Sequence, residues 1–287
     1  MKNIKIYKLS FLYIFIFLIF SNYIEKKNNN KALYYMLKEN TNTLFNSIKN
    51  LKKVVYSVLL GEYDKIHPFI LQEGFDFILF TDILNINYNE TNWTIIPPPK
   101  KLKNLNLSRV KKQRFIKLHP HLFFKNYSLS IYIDATFQIK GDLNEFLVRI
   151  LSEKYKIYTF EHPDRNNIIN ETFAVVEFGK EKLNMSKFIR ERYKKEKFPD
   201  NNGLIESCLI IRKHNEKEVI KQMENWYEEI EKYSHRDQLS FNYISWKTGV
   251  KFKYISKSFT MNYFNQHSHI IKNITIYNSN NSCLSLL

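Results

Sequence analysis

Short runs of aliphatic, β-branched and aromatic residues recur along the chain, each closed by a turn-forming or polar residue. Val54 to Leu60 stops at Gly61, Phe75 to Phe80 at Thr81 and Asp82, and Trp93 to Ile96 at Pro97, Pro98 and Pro99, while Ile131 to Ile133 ends on Asp134. Runs of this length bounded by such residues predict strands. Ser108 is placed to cap a helix that carries Arg109, Lys112, Arg114 and Lys117 as far as Leu118, with Pro120 ending it. Further on, Leu143 to Leu151 predicts a helix, Lys156 to Phe160 a strand, Ile168 to Tyr193 a mostly helical span and Leu204 to Ile211 a strand. Glu216 to Tyr233 is amphipathic, with Val219, Met223, Trp226 and Ile230 on one face; a helix over Arg236 to Trp246 and a strand over Val250 to Ile255 follow. Strands alternating with helices predict an α/β single domain around a mainly parallel central sheet, covered on both faces.

The amino terminus breaks this pattern. Lys2, Lys5 and Lys8 precede an apolar run from Leu9 to Phe20, resumed at Tyr23 and Ile24, and no small-residue cleavage pattern follows. The arrangement predicts an uncleaved membrane anchor helix with a cytoplasmic amino terminus, hence a single-pass type II protein with its folded domain in the Golgi or ER lumen; secretion after signal cleavage is the alternative. The expected organisation is tail and anchor over 1–24, a polar Asn- and Lys-rich stem over 25–51, the folded domain over 52–272 and a flexible tail over 273–287. Sequons at Asn89, Asn92, Asn106, Asn126, Asn170, Asn184, Asn273 and Asn280 are compatible with a lumenal domain.

Composition narrows the classes further. A chain of 287 residues that is 44% hydrophobic and 16% aromatic can bury a core, which excludes a disordered protein. The net charge of +16 raises the question of a nucleic-acid partner, but no zinc spacing, RNP-like motif or basic heptad accompanies it, so none is expected. Cys208 and Cys283 cannot form a disulfide framework, and Cys208 lies in an apolar run that suits a buried free thiol.

If the strands run in parallel, three polar loops meet at their carboxyl edge, where open α/β sheets bind ligands: Gly61 to Asp64, Thr81-Asp82, and Asp134, with Asp142 a second acid after Gly141. A nucleotide fits such a crevice, with base and ribose near the first two loops and diphosphate near the third. A strand that ends on Asp is equally the form of a capped turn. Arg109, Arg114 and Lys117 are suited to neutralise a diphosphate, or to form a solvated basic face. Asn201, Asn202 and Gly203 before one strand, and Asp237 and Gln238 opening a helix, offer short polar groups for sugar hydroxyls; Asp237 also suits a helix amino terminus. A divalent ion on a diphosphate needs oxygen ligands. Asp134 supplies one, Thr136 stands where the second acid of an Asp-x-Asp pair would fall, and His267 or His269 is left to complete the set.

Seven segments occur in order between Val54 and Tyr254: GEYD, FDFILFTD, RFIKLHPHLFF, SIYIDATFQIKGDL, FEHPDR, FPDNNGLIESCLIIRKHN and YSHRDQLSFNY. Together they resemble the glycosyltransferase-like family named after plant turgor-regulation and mucilage proteins. The resemblance implies a GT-A-like, Rossmann-like domain, more distantly similar to the retaining family 8 glycosyltransferases. It implies a nucleotide-sugar-dependent hexosyl- or pentosyltransferase acting on a glycan or glycoconjugate, with manganese or magnesium as cofactor. The family 8 Asp-x-Asp, Asn-Ala-Gly and Asp-Gln-Asp motifs would fall on Asp134 to Thr136, Asn202-Gly203 and Asp237 to Leu239, from which Thr136 and Leu239 depart. Asp134 is then expected near the phosphates or metal, with His267 beside it. Asn202 and Asp237 are expected near the transferred sugar, and Gln238 on the face from which retention proceeds. Tyr63, Asp64, Thr81, Asp82, Arg114, Lys117, His121, His162 and Arg165 are the implied donor-binding set. Two rival readings are a catalytically inactive binding protein of the same fold and a ceramide-type hydrolase, although the zinc-type His/Asp constellation of the latter is absent.

Overall fold

The computed structural model describes residues 45–83, 91–103 and 106–268, together with Glu39 and Thr43. The expected anchor and tail, most of the stem, and the residues Asn89, His269 and Cys283 lie outside the described residues. No helix among the described residues is long and apolar enough to cross a membrane.

The apolar runs become β1 (Lys53–Leu59), β2 (Phe75–Thr81), β3 (Thr94–Ile96), β4 (Leu129–Ile133), β5 (Phe137–Ile139), β6 (Ile157–Glu161), β7 (Ile205–Arg212), β8 (Lys253–Ile255) and β9 (Phe264–Gln266). Seven of them form one sheet in the order β3-β2-β1-β4-β7-β6-β8, and β5 pairs with β9 in a separate antiparallel pair. β1 lies parallel to β2 and β4, β2 to β3, and β6 to β8. β7 is antiparallel to both its neighbours and alone runs against the rest. The sheet is thus mainly parallel, and the start of β7 shares an edge with the ends of β4 and β6.

Burial explains why the central strands read as unbroken apolar runs. Every residue of β1 and β4 is buried, as is all of β2 except Asp76, because both faces of the sheet are covered. Alternate residues enter two cores: Val54, Tyr56 and Val58 one, Val55 and Leu59 the other.

The main helices are α1 (Arg109–Leu118), α2 (Leu143–Ile150), α3 (Ile168–Glu177), α4 (Leu183–Lys195), α5 (Lys217–Lys232) and α6 (Phe241–Thr248). Ser108 caps α1 as its position predicts, its Oγ accepting from the Lys111 N–H at 3.3 Å. Asp142 caps α2, accepting from the Asn144 and Glu145 N–H groups at 2.7 and 3.0 Å, so this acid serves the helix start. The long helical span divides into α3 and α4 around Gly179, whose φ is +63°. The apolar face of α5 is fully buried at Val219, Met223, Trp226 and Ile230. One expected helix is broken: Arg236 to Trp246 is a 3₁₀ turn, Asp237–Leu239, followed by α6. Two carbonyls of the break are claimed by core side chains, since Trp226 Nε1 donates to the Asp237 carbonyl at 3.0 Å and the Tyr193 hydroxyl to that of Leu239 at 3.1 Å.

Candidate active site

A cleft of about 700 Å³ opens at the carboxyl edge of the sheet, between the loops after β1, β4 and β6 and the 3₁₀ turn. Its floor is an ionic cluster drawn from four separate elements. α1 contributes Arg114 and Lys117, three residues apart and so on one helix face. β4 leads into Asp134, β7 contributes Ser207, and the 3₁₀ turn contributes Asp237.

Lys117 is 1% exposed. Its Nζ lies 2.8 Å from Asp237 Oδ2, 3.1 Å from Ser207 Oγ and 3.9 Å from Asp134 Oδ1, and 4.7 Å from the centre of the Tyr132 ring. Ser207 accepts from Lys117 and donates to Asp237 Oδ2 at 2.8 Å, which relays one partner to the other. Arg114 Nε stands 3.2 Å from the same carboxylate oxygen as an ion pair without hydrogen-bond alignment. The Gln238 N–H donates to Asp237 Oδ1 at 3.1 Å. Burial alone would raise the Asp237 carboxyl, but Arg114 and then Lys117 outweigh it and hold it far below the ordinary carboxylate range. Asp134 accepts from the Tyr132 hydroxyl at 2.6 Å, and burial, followed by the Asp134 charge, keeps that phenol well above its usual value.

The end of α1 is held from behind. The Tyr56 hydroxyl donates to the Lys117 carbonyl at 2.5 Å, and Arg212 donates both to that carbonyl at 2.9 Å and to the Tyr56 hydroxyl. Arg212 is wholly buried, and desolvation lowers its pKa. Two polar groups placed in the core therefore set the height at which Lys117 enters the cleft.

At the rim, Gly61 donates its N–H to Asp82 Oδ1 at 2.7 Å. Its φ of +87° favours glycine there, and the Arg109 guanidinium packs close over it, 2.5 Å from where a Cβ would lie. The Tyr63 hydroxyl accepts from Gln113 Nε2 at 3.3 Å, and burial, then Asp134 and Asp64, push its pKa to about 12. Arg165 pairs with Glu171, which is 2% exposed, beside a His162 ring whose pKa burial lowers.

Of the residues singled out from the sequence, Tyr63, Asp64, Arg109, Arg114, Lys117, Asp134 and Thr136 line the cleft, and so do His162, Arg165, Asp237 and Gln238. The others are placed elsewhere. Thr81 Oγ1 accepts from the Ile83 N–H, and Asp82 clamps Gly61. Asn202 exchanges hydrogen bonds with Asn242 at 3.3 and 2.9 Å. His121 sits with His119 against Glu224, its Nε2 2.8 Å from Oε1. The His267 ring stacks on His67 with centroids 3.8 Å apart. Ser207, Glu171 and Arg236 also line the cleft and were missed. The available signal was polarity inside an apolar run: Ser207 interrupts the β7 strand, and Glu171 the apolar face of α3.

A divalent ion fits these residues poorly. Among the described residues no group of three or more His, Cys, Asp or Glu side chains is arranged to hold a metal. Asp237 has both oxygens engaged, and one Asp134 oxygen is taken by Tyr132. Gln138 Nε2 donates to the Pro68 carbonyl, so its Oε1 accepts from His267 Nε2 at 3.1 Å, which leaves only Nδ1 of that ring with a lone pair.

An open α/β sheet, covered on both faces and carrying a charged cleft at its carboxyl edge, is a ligand-binding arrangement of the doubly wound class. Within that class the chain belongs to the TOD1/MUCI70 glycosyltransferase-like domain family, whose model matches residues 30–275. This is the family that the ordered motifs resembled. The chain is 27% identical over 146 residues to the "Probable hexosyltransferase MUCI70" of Arabidopsis thaliana; that stretch covers 47% of this chain and 25% of that protein. Among solved structures, mouse xyloside xylosyltransferase 1 in its apo form is similar at a TM-score of 0.42 and 9% identity, covering 71% of this chain and 85% of that one. The mannosyltransferase Ktr4p of S. cerevisiae is similar at a TM-score of 0.36 and 9% identity, over 72% and 73%. The family assignment rests on the first match, and neither structural likeness adds to it.

Proposed function

We propose that the protein is a membrane-anchored glycosyltransferase that moves a sugar, a hexose by analogy with its Arabidopsis relative, from a nucleotide-sugar donor to a hydroxyl of a glycan or glycoconjugate. Family membership supports the reaction class, and the buried Lys117 and part-buried Arg114 cations on the cleft floor are the observation that carries the site assignment. Breaking a sugar–phosphate bond moves negative charge onto the departing diphosphate. Cations fixed in place by the fold stabilise that charge as it develops and need no reorganisation to do so. The rest of the work is orientation, with Tyr63 and Asp64 toward the nucleoside and Gln238, whose N–H Asp237 holds, toward the sugar. Retention at the anomeric carbon is the stereochemistry we assign, on the correspondence of Asp237 and Gln238 with the family 8 motif. The Leu9 to Phe20 run is assigned as the anchor that holds the domain in a secretory lumen.

The test is a screen of the full chain in detergent against UDP-, GDP- and ADP-sugars, reading nucleoside diphosphate release and transfer to oligosaccharide acceptors. Turnover of at least one donor is expected. Failure of a folded protein to bind any of them would overturn the assignment. Binding without turnover points to a non-catalytic module, and fatty-acid release from ceramide to a hydrolase.

A further inference from the structure

We propose that this cleft binds its diphosphate without a divalent ion, the Lys117 ammonium between Asp134 and Asp237 being the cation that serves in its stead. The inference rests on the donor reading above and deepens it.

A metal shared with a diphosphate is held by oxygens that have lone pairs to give. Those lone pairs are already used here. Asp237 meets Lys117, Ser207 and Arg114 through Oδ2 and the Gln238 N–H through Oδ1. Asp134 keeps one oxygen free of Tyr132, and Thr136, 5% exposed, stands where a second acid would be needed. An ion seated on Asp134 would also lie against an ammonium that is 3.9 Å from that carboxylate.

Lys117 cannot readily swing aside to admit one. Its ammonium is tied to Asp237 and Ser207, and its carbonyl is gripped by Tyr56 and Arg212. An ammonium has three donors, of which two are spent in those bonds. Asp134 Oδ1 is too distant to accept the third. That donor is left for a phosphate oxygen at the cleft floor, beside the Arg114 guanidinium. Asp134 then acts as the counter-charge that holds the ammonium toward the cleft, a positioning role.

The experiment is calorimetry of the full chain with UDP, GDP and ADP, first in EDTA and then with manganese or magnesium. At least one diphosphate is expected to bind in EDTA with an affinity within about twofold of that with the ion. Binding that appears only with the ion overturns the inference and leaves the donor reading standing; no binding in either condition overturns both. Lys117→Met is expected to weaken binding in EDTA roughly 10- to 100-fold, the worth of a charge-assisted hydrogen bond, and full affinity in that variant overturns the inference. Should Lys117→Met not fold, Asp134→Asn decides. Its affinity is expected to change by the same factor in EDTA as with the ion, whereas a loss confined to the ion-containing buffer would show that Asp134 carries an ion.

Discussion

Asp237→Asn tests the ionic cluster most directly. The carboxylate is 3% exposed and faces the Arg114 and Lys117 cations at 3.2 and 2.8 Å. Removing one partner of a buried ion pair costs about 3–5 kcal/mol, because the surviving charges stay desolvated. Asn keeps an oxygen for Lys117 and Ser207, so the lower end, about 3 kcal/mol, is expected. In a domain of this size each kcal/mol moves the midpoint by about 2–4 °C, which puts the loss at roughly 6–12 °C in a thermal melt at pH 7. The pH dependence provides a second check. The folded-state pKa of Asp237 is depressed, so its stabilising contribution is fully present above the unfolded value of about 3.9 and is lost only as pH falls toward the folded value. The gap between wild type and variant should therefore stay flat from about pH 8 to pH 5. A gap under about 1 kcal/mol, or one that closes between pH 7 and 5, would refute the account of a carboxylate clamped between two cations.

Three further outcomes follow from the same geometry. Trp226→Phe removes the N–H that holds the Asp237 carbonyl at 3.0 Å and leaves a small void, so it should cost about 1–3 kcal/mol in urea unfolding; an unchanged midpoint contradicts this. Gly203→Ala forces a side chain into a φ of +74° with its Cβ 2.2 Å from the Tyr254 hydroxyl, and should cost at least about 1–2 kcal/mol; wild-type stability would show that the turn adapts freely. His214 is buried, and desolvation lowers its pKa to about 4. Its contribution is whole above the unfolded value of about 6.5 and falls by about 3 kcal/mol as pH drops to 4. His214→Gln should flatten the stability–pH slope over that window by about 1.4 kcal/mol per unit, and identical slopes in the two proteins would exclude the effect.

Much of the scaffold was readable as pattern. The runs that became β1, β2, β4 and β7 are apolar on both faces because both faces are covered, and α5 showed its buried stripe at helical spacing. Strand direction was not readable, since an apolar run is the same in either sense, and β7 runs in reverse. Nor was the break in Arg236 to Trp246, which depends on Trp226 and Tyr193 reaching across the core to its carbonyls. Asp134, Arg114, Lys117 and Asp237 were nominated from their residue types and motif order, and all four line the cleft. Ser207 was hidden by its strand. Asn202, His121 and His267 are occupied by Asn242, Glu224 and Gln138, partners that only folding supplies.

The chain's own order of residues was enough for its class, its alternation of strands and helices, and its family, because hydrophobic period, turn chemistry and motif order are local properties. Whether a charged residue would be a solvated face or a cleft floor was left open by that order. Lys117 and Asp237 stand 120 positions apart, and Arg212 reaches Lys117 across 95. Contacts at such separations exist only once strand pairing has closed the intervening chain, and the low dielectric of the closed core then makes each unpaired charge costly. Burial, a property of the whole fold, turned a lysine-rich helix face into one fixed ammonium between two carboxylates.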